Sequence, residues 1–229
     1  MKRLLLILLL IFHGSLFSTI SCAQNQDMWQ WTTISVDKKI SPKVTVFFDE
    51  ELRLFNNVSQ INLNYTNFGV SYSINKNIKI SGVYRWIEKS QPNGTYSSRH
   101  RFYNDISLKY KINPLTFAYR SRLQTQVRDV YSSDNGTVPE SYWRHKFDLK
   151  FDLNKPYTPY IAAEFRYQFN NNRIREANNE FDRGRYYIGC DYKITGSSTF
   201  GLYYMIQREF NINDPETDYV LGITYNLSR

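Results

Sequence analysis

The stretch Arg99-His-Arg-Phe-Tyr-Asn-Asp-Ile-Ser-Leu-Lys-Tyr110 sorts its residues by parity. Its even positions are His100, Phe102, Asn104, Ile106, Leu108 and Tyr110, and its odd positions are Arg99, Arg101, Tyr103, Asp105, Ser107 and Lys109. Successive side chains of a β-strand point to opposite faces. One face of this segment is therefore mostly apolar and aromatic, and the other carries the charge.

The same sorting recurs on either side of it. Trp143, His145, Phe147, Leu149 and Phe151 oppose Arg144, Lys146, Asp148, Lys150 and Asp152. Ile161, Ala163, Phe165, Tyr167 and Phe169 oppose Ala162, Glu164, Arg166 and Gln168. Tyr186, Ile188, Cys190 and Tyr192 oppose Arg183, Arg185, Tyr187 and Asp191. A short pattern marks the ends of five segments: an aromatic residue, any residue, Ile or Leu, then Asn, Thr or Ser. Its aromatic positions are Tyr72, Tyr110, Phe151, Tyr192 and Tyr225, spaced by 38, 41, 41 and 33 residues. Four copies lead through two or three turn-forming residues, such as Asn75-Lys-Asn77 or Asn113-Pro114, into a new alternating run. Strand, tight turn and strand make each repeat a hairpin. Longer polar stretches at 56–61, 90–98, 129–140, 170–180 and 209–216 join the other ends, with Asn93-Gly94 and Asn135-Gly136 at two tips.

Short turns on one rim and long loops on the other are the asymmetry of a transmembrane β-barrel. The expected fold is all-β: an antiparallel up-and-down transmembrane barrel of 10–12 strands, with short periplasmic turns and longer extracellular loops. Eleven segments read as strands: 29–37, 43–55, 62–74, 78–89, 99–111, 115–127, 141–153, 157–169, 181–193, 198–208 and 217–227. Single-chain bacterial barrels use even numbers, so ten or twelve is expected, and twelve is favoured because the segment from Trp29 resembles the other repeats. A soluble barrel or sandwich also alternates, but sandwich strands typically run five or six residues. A propeller with a 40-residue repeat needs four short strands per unit, not two long ones.

Composition agrees with this. The 229 residues are 41% hydrophobic and 17% aromatic, with 19 Tyr, 15 Phe and 4 Trp, yet the mean hydropathy is −0.53. Several helical spans of about 20 apolar residues each are excluded by that average. Disorder is excluded by the aromatic content.

Residues 1–23 read as a secretory signal peptide, with Lys2 and Arg3, an apolar run over 4–12 and small residues before Gln24. Cleavage is expected between Ala23 and Gln24, leaving a single barrel domain over 24–229. The competing reading makes Cys22 a lipidated first residue. The mature chain would have 206 residues, a net charge of +6 and one thiol, Cys190. No disulfide can form within it, and one Cys with few His offers no zinc or redox motif. No cofactor or metal is expected.

By parity the charged face comprises Asp49, Glu51, Arg53, Arg85, Arg101, Asp105, Arg120, Arg122, Arg144, Asp148, Glu164, Arg166, Arg183, Arg185 and Asp191. A barrel of 10–12 strands is narrower than an open porin of 16–18, so these side chains are expected to fill the lumen as Arg–carboxylate pairs. A narrow pore or solute-binding barrel with a cationic bias is the alternative. A lipid hydrolase using His100 or His145 on the outer wall is a further one, against which no Gly-x-Ser-x-Gly element occurs. The chain is read as non-enzymatic, with outer-membrane lipid and the barrel-assembly machinery as partners. Its positive charge is spread along alternating strands without forming a patch, so nucleic-acid binding is not expected. Tyr72, Tyr110, Phe151, Tyr192 and Tyr225 are expected to form an aromatic girdle at the interface.

Several short elements carry a family resemblance: Trp29 and Trp31, Asp49-Glu-Glu51-Leu-Arg53, Val83-Tyr-Arg85, Arg99-His-Arg101, Tyr119-Arg-Ser-Arg122-Leu and Trp143-Arg144-His-Lys146. Over about 29–227 the chain resembles the bacterial outer-membrane barrel family labelled domain of unknown function 2490. That resemblance implies a barrel in a Gram-negative outer membrane and no catalytic residue. Many such barrels end on an aromatic residue that the assembly machinery reads; this chain ends Leu227-Ser-Arg229.

Overall fold

The computed structural model describes residues 26–91, 93–128, 139–171 and 174–229. The leader 1–23 with its cleavage point and Cys22, and the loop tip Asn135-Gly136, lie outside the described residues. Eleven strands follow in order: β1 (Gln26–Lys39), β2 (Val44–Phe55), β3 (Gln60–Ser73), β4 (Ile78–Ser90), β5 (Tyr96–Ile112), β6 (Leu115–Arg128), β7 (Glu140–Phe151), β8 (Tyr157–Asn170), β9 (Glu180–Lys193), β10 (Ser198–Glu209) and β11 (Thr217–Ser228). Each pairs antiparallel with its sequence neighbours, and β1 returns to β11 to close a barrel. A 3-10 turn at Arg175–Ala177 sits in the β8–β9 connection.

The strand number corrects the expectation of ten or twelve. Alternating directions around an odd number of strands leave the first and last pointing the same way. The closing pair β1–β11 is accordingly parallel, in register from Gln26↔Thr217 to Asp37↔Ser228. Closure leaves no unpaired edge, so nothing in the backbone demands a twelfth strand.

Turn chemistry fixes the short rim. Asn75 Oδ1 accepts hydrogen bonds from the backbone N–H groups of Asn77 at 2.8 Å and Ile78 at 2.9 Å. Thr195 Oγ1 does the same for Ser197 at 3.2 Å and Ser198 at 3.0 Å. These side chains mimic the turn's own backbone bonds. On the opposite rim Asn56 and Asn57 adopt positive φ, 53° and 54°, and donate their N–H groups to the Asp27 carboxylate at 2.9 and 2.8 Å. That clasp ties the β2–β3 loop to β1.

The polarity of the wall is inverted relative to a soluble domain. Ile188, Tyr110 and Phe102 are 62%, 61% and 58% exposed, whereas Glu164, Asp182 and Gln168 are at most 2% exposed. The small apolar core lies inside the barrel, where Trp31, Met205 and Val220 pack with Trp29, Tyr187 and Tyr203 around them. Tyr203 needs its cross-strand partner Gly222: a Cβ there would stand 1.9 Å from the ring. Glycine lets the ring lie flat on the wall.

Candidate functional site in the barrel lumen

From β1 to β6 the waist of the lumen is a belt of alternating aromatic and cationic side chains, one from each successive strand. The Arg53 guanidinium lies 3.5 Å from the Trp31 ring centre and 5.2 Å from that of Tyr65. Arg85 lies 3.6 Å from Tyr65 and 5.4 Å from Tyr103. Arg122 lies 3.8 Å from Tyr103. Across the lumen Arg185 returns to Trp31 at 5.2 Å. Desolvated contacts of this kind contribute about 2 kcal/mol or more each.

Carboxylates complete the belt. Arg122 grips Asp105 with two parallel hydrogen bonds of 2.7 Å, the planar fork geometry that suits Arg. Glu164 is the hub: it meets Arg120 at 2.7 Å, Arg185 at 3.2 Å, and Arg144. Glu51 accepts from Arg53 at 2.6 Å and from the Thr33 hydroxyl at 2.9 Å.

The remaining residues expected on the charged face also lie along the interior. Asp49 accepts from Asn67 at 3.1 Å, Asp148 pairs with Lys146 at 2.9 Å, and Asp191 with Lys150 at 2.7 Å. Arg166 pairs with Asp182 at 2.8 Å through Nε, Arg183 with Glu209, and Arg101 donates to Gln126 at 3.1 Å.

The sequence reading missed Asp182, because a register shift between Arg166 and Tyr167 brings it to the same side as Arg183. It also missed Glu140, which takes Arg128 at 2.8 Å, and the lumenal amides Gln124, Gln126 and Gln207. Tyr103 and Tyr187 share the parity of the charged residues, and that signal was in the sequence.

The waist separates two cavities. The one toward the long loops measures about 330 Å³ and is lined by the Arg-rich strand ends. The one toward the short turns measures about 510 Å³, is rich in serine and has three cations against three carboxylates.

On the exterior, Tyr72, Tyr110, Tyr192 and Tyr225 are 41%, 61%, 48% and 38% exposed near the short-turn rim. A second aromatic set, including Trp86, Trp143, Phe169 and Phe181, rings the long-loop side. Tyr84 Oη meets His100 Nδ1 at 2.8 Å and Tyr119 Oη meets His145 Nδ1 at 2.7 Å. The wall is not uniformly apolar: Glu50, midway along β2, accepts from Asn64 and Thr66 at 2.7 Å each.

Fold and site together define a closed β-barrel with an apolar outer wall and a charged, tightly packed waist. The chain belongs to the family described as protein of unknown function DUF2490, whose sequence model matches residues 29–218. No curated protein matches the sequence. Among solved structures it is similar to one titled "NanC porin structure in rhombohedral crystal form", at 14% identity and TM-score 0.49, covering 79% of this chain and 86% of that one. Another is titled "Bacterial polysaccharide outer membrane secretin", at 9% identity and TM-score 0.41, covering 77% and 72%. At such low similarity neither bears on function.

Proposed function

We propose that this protein is an integral β-barrel of a Gram-negative outer membrane, without catalytic activity, whose lumen is closed at the waist by Arg–carboxylate and Arg–aromatic contacts. The inversion of polarity carries the reading: apolar side chains stand exposed around the wall while carboxylates and guanidinium groups are buried within. In water that arrangement leaves a large apolar surface uncovered; in a bilayer it meets acyl chains. The two aromatic rings act as girdles. His100 and Tyr110 lie ten residues apart on β5; at ~3.3 Å per residue and a tilt of about 40° that is about 25 Å along the membrane normal, the height of a barrel's apolar band.

Residues 1–23 serve as the export signal, removed after Ala23, and the barrel-assembly machinery receives the rest. His100 and His145 are interface residues whose ring nitrogens are held by tyrosine hydroxyls, a pairing suited to the membrane boundary and not to activating a serine.

Two experiments test the proposal. Cell fractionation is expected to recover the protein in detergent-extracted outer membranes, and recovery in the soluble periplasm would sink the membrane reading. In planar bilayers the purified protein is expected to give no discrete steps. Reproducible ion-selective steps would overturn the closed waist while leaving the barrel reading intact.

A further inference from the structure

We propose that the cavity on the long-loop side of the waist is a binding site for a small soluble anion bearing carboxylate or phosphate groups. This goes beyond the barrel's placement in a membrane, and it does not depend on whether the waist conducts.

The first observation is cross-strand repulsion. Arg85 stands directly opposite Arg101 on β4 and β5, Arg122 opposite Arg144, Arg144 opposite Arg166, and Arg166 opposite Arg183. Like charges facing one another across a sheet are destabilising, and burial raises the cost unless a counter-charge is present. Asp105, Glu164, Asp182 and Glu209 supply that counter-charge for Arg122, Arg144, Arg166 and Arg183.

Arg85 and Arg101 are different. Arg85 is 6% exposed and donates only to Asn67 at 2.6 Å and to the Tyr103 hydroxyl at 3.4 Å. Arg101 donates only to Gln126. Among the described residues neither belongs to an ion pair.

The second observation is where this charge lies. Arg85 and Arg101 both line the cavity, and no carboxylate of the described residues meets either at ion-pair distance. The cavity thus offers guanidinium N–H donors together with surplus positive charge. A carboxylate or phosphate supplies the reverse, several acceptor oxygens and negative charge, and can take a guanidinium in bidentate fashion.

The charge balance is local. Ten Arg and Lys side chains and four carboxylates line this cavity. Glu51, Glu164 and Asp182 behind its wall pair with Arg53, Arg144 and Arg166. The short-turn cavity is balanced. A volume of about 330 Å³ lies at the lower end of the range for small-ligand sites, which suits an anion of citrate size or smaller.

The test uses the full barrel in detergent, with thermal unfolding followed in citrate, in inorganic phosphate and in chloride at matched ionic strength. A ligand that binds the folded state alone raises the midpoint with its concentration. Citrate or phosphate is expected to raise it saturably, beyond any effect of chloride. In Arg101→Gln the apparent affinity is expected to fall at least tenfold, and the anion-free midpoint to rise because an uncompensated charge is gone; that rise also shows that the variant folds. Lys79→Gln, which alters the other cavity, is expected to leave the citrate response unchanged. An equal response in wild type and Arg101→Gln, or one that chloride reproduces, overturns the proposal.

Discussion

Glu164 shows how a single residue holds this lumen together. It is 2% exposed and stands among Arg120, Arg144 and Arg185, donated by strands on both sides of β8. Removing one partner of a buried ion pair costs about 3–5 kcal/mol, because the other charge stays buried without compensation. Glu164→Gln keeps the shape, strands three guanidinium groups, and is expected to lower the unfolding free energy by at least about 3 kcal/mol in a urea titration of the detergent-solubilised barrel. The pair Lys111–Asp152 at the short-turn rim is the contrast, with side chains 48% and 35% exposed. Asp152→Asn is expected to leave the urea midpoint close to that of the wild type, because an exposed, solvent-screened pair contributes little. Equal losses in the two variants would mean that the waist network does not hold the barrel together.

At the scale of strands and hairpins, most of the architecture is legible in the amino-acid order. All eleven segments read from alternation are strands, with ends within three residues of those observed, because a two-sided wall writes its period into every strand. The tight turns are legible too, since Asn75 and Thr195 stand where a side-chain acceptor can replace a backbone one. Bulges are not. An extra residue near Asp182 shifts the register between β8 and β9, and a bulge puts two neighbours against one partner, so strict parity assigns this lumenal carboxylate to the wrong face. The aromatic members of the belt escape for a different reason. Trp31, Tyr65 and Tyr103 have the composition of the outer wall, and only their parity marks them as lumenal. The outer face makes its own prediction: Phe147, 52% exposed on β7, is placed to meet lipid. Phe147→Arg is expected to cost about 2–4 kcal/mol if it lies near the midplane, measured by urea unfolding in lipid vesicles. A neutral outcome there would argue that this face of β7 does not meet acyl chains.

For the whole molecule, the property hidden from sequence is closure. Alternation reports which way a side chain points but nothing about which distant strand lies alongside, and the rule of even numbers leads the count toward twelve. The structure closes with eleven because β1 and β11 run in the same direction and pair over their full length. That seam also sets where the waist forms: it brings Trp31 on β1 against Val220 on β11 and Met205 on β10, and so completes a belt that begins at Arg53 and ends at Arg185. The seam is directly testable, since Thr33 and Thr224 are paired across it and neighbouring strands lie about 4.8 Å apart, within reach of a disulfide. Thr33→Cys with Thr224→Cys, made in a Cys190→Ser background, is expected to cross-link on mild oxidation. The cross-link would bridge nearly the whole chain, and loop entropy predicts a stabilisation of about 5 kcal/mol, reversed by reductant. An additional strand between β1 and β11 would hold the two thiols apart. Failure to cross-link in the folded barrel would therefore restore the twelve-strand arrangement and, with it, a lumen wider than the one the Arg–aromatic belt now fills.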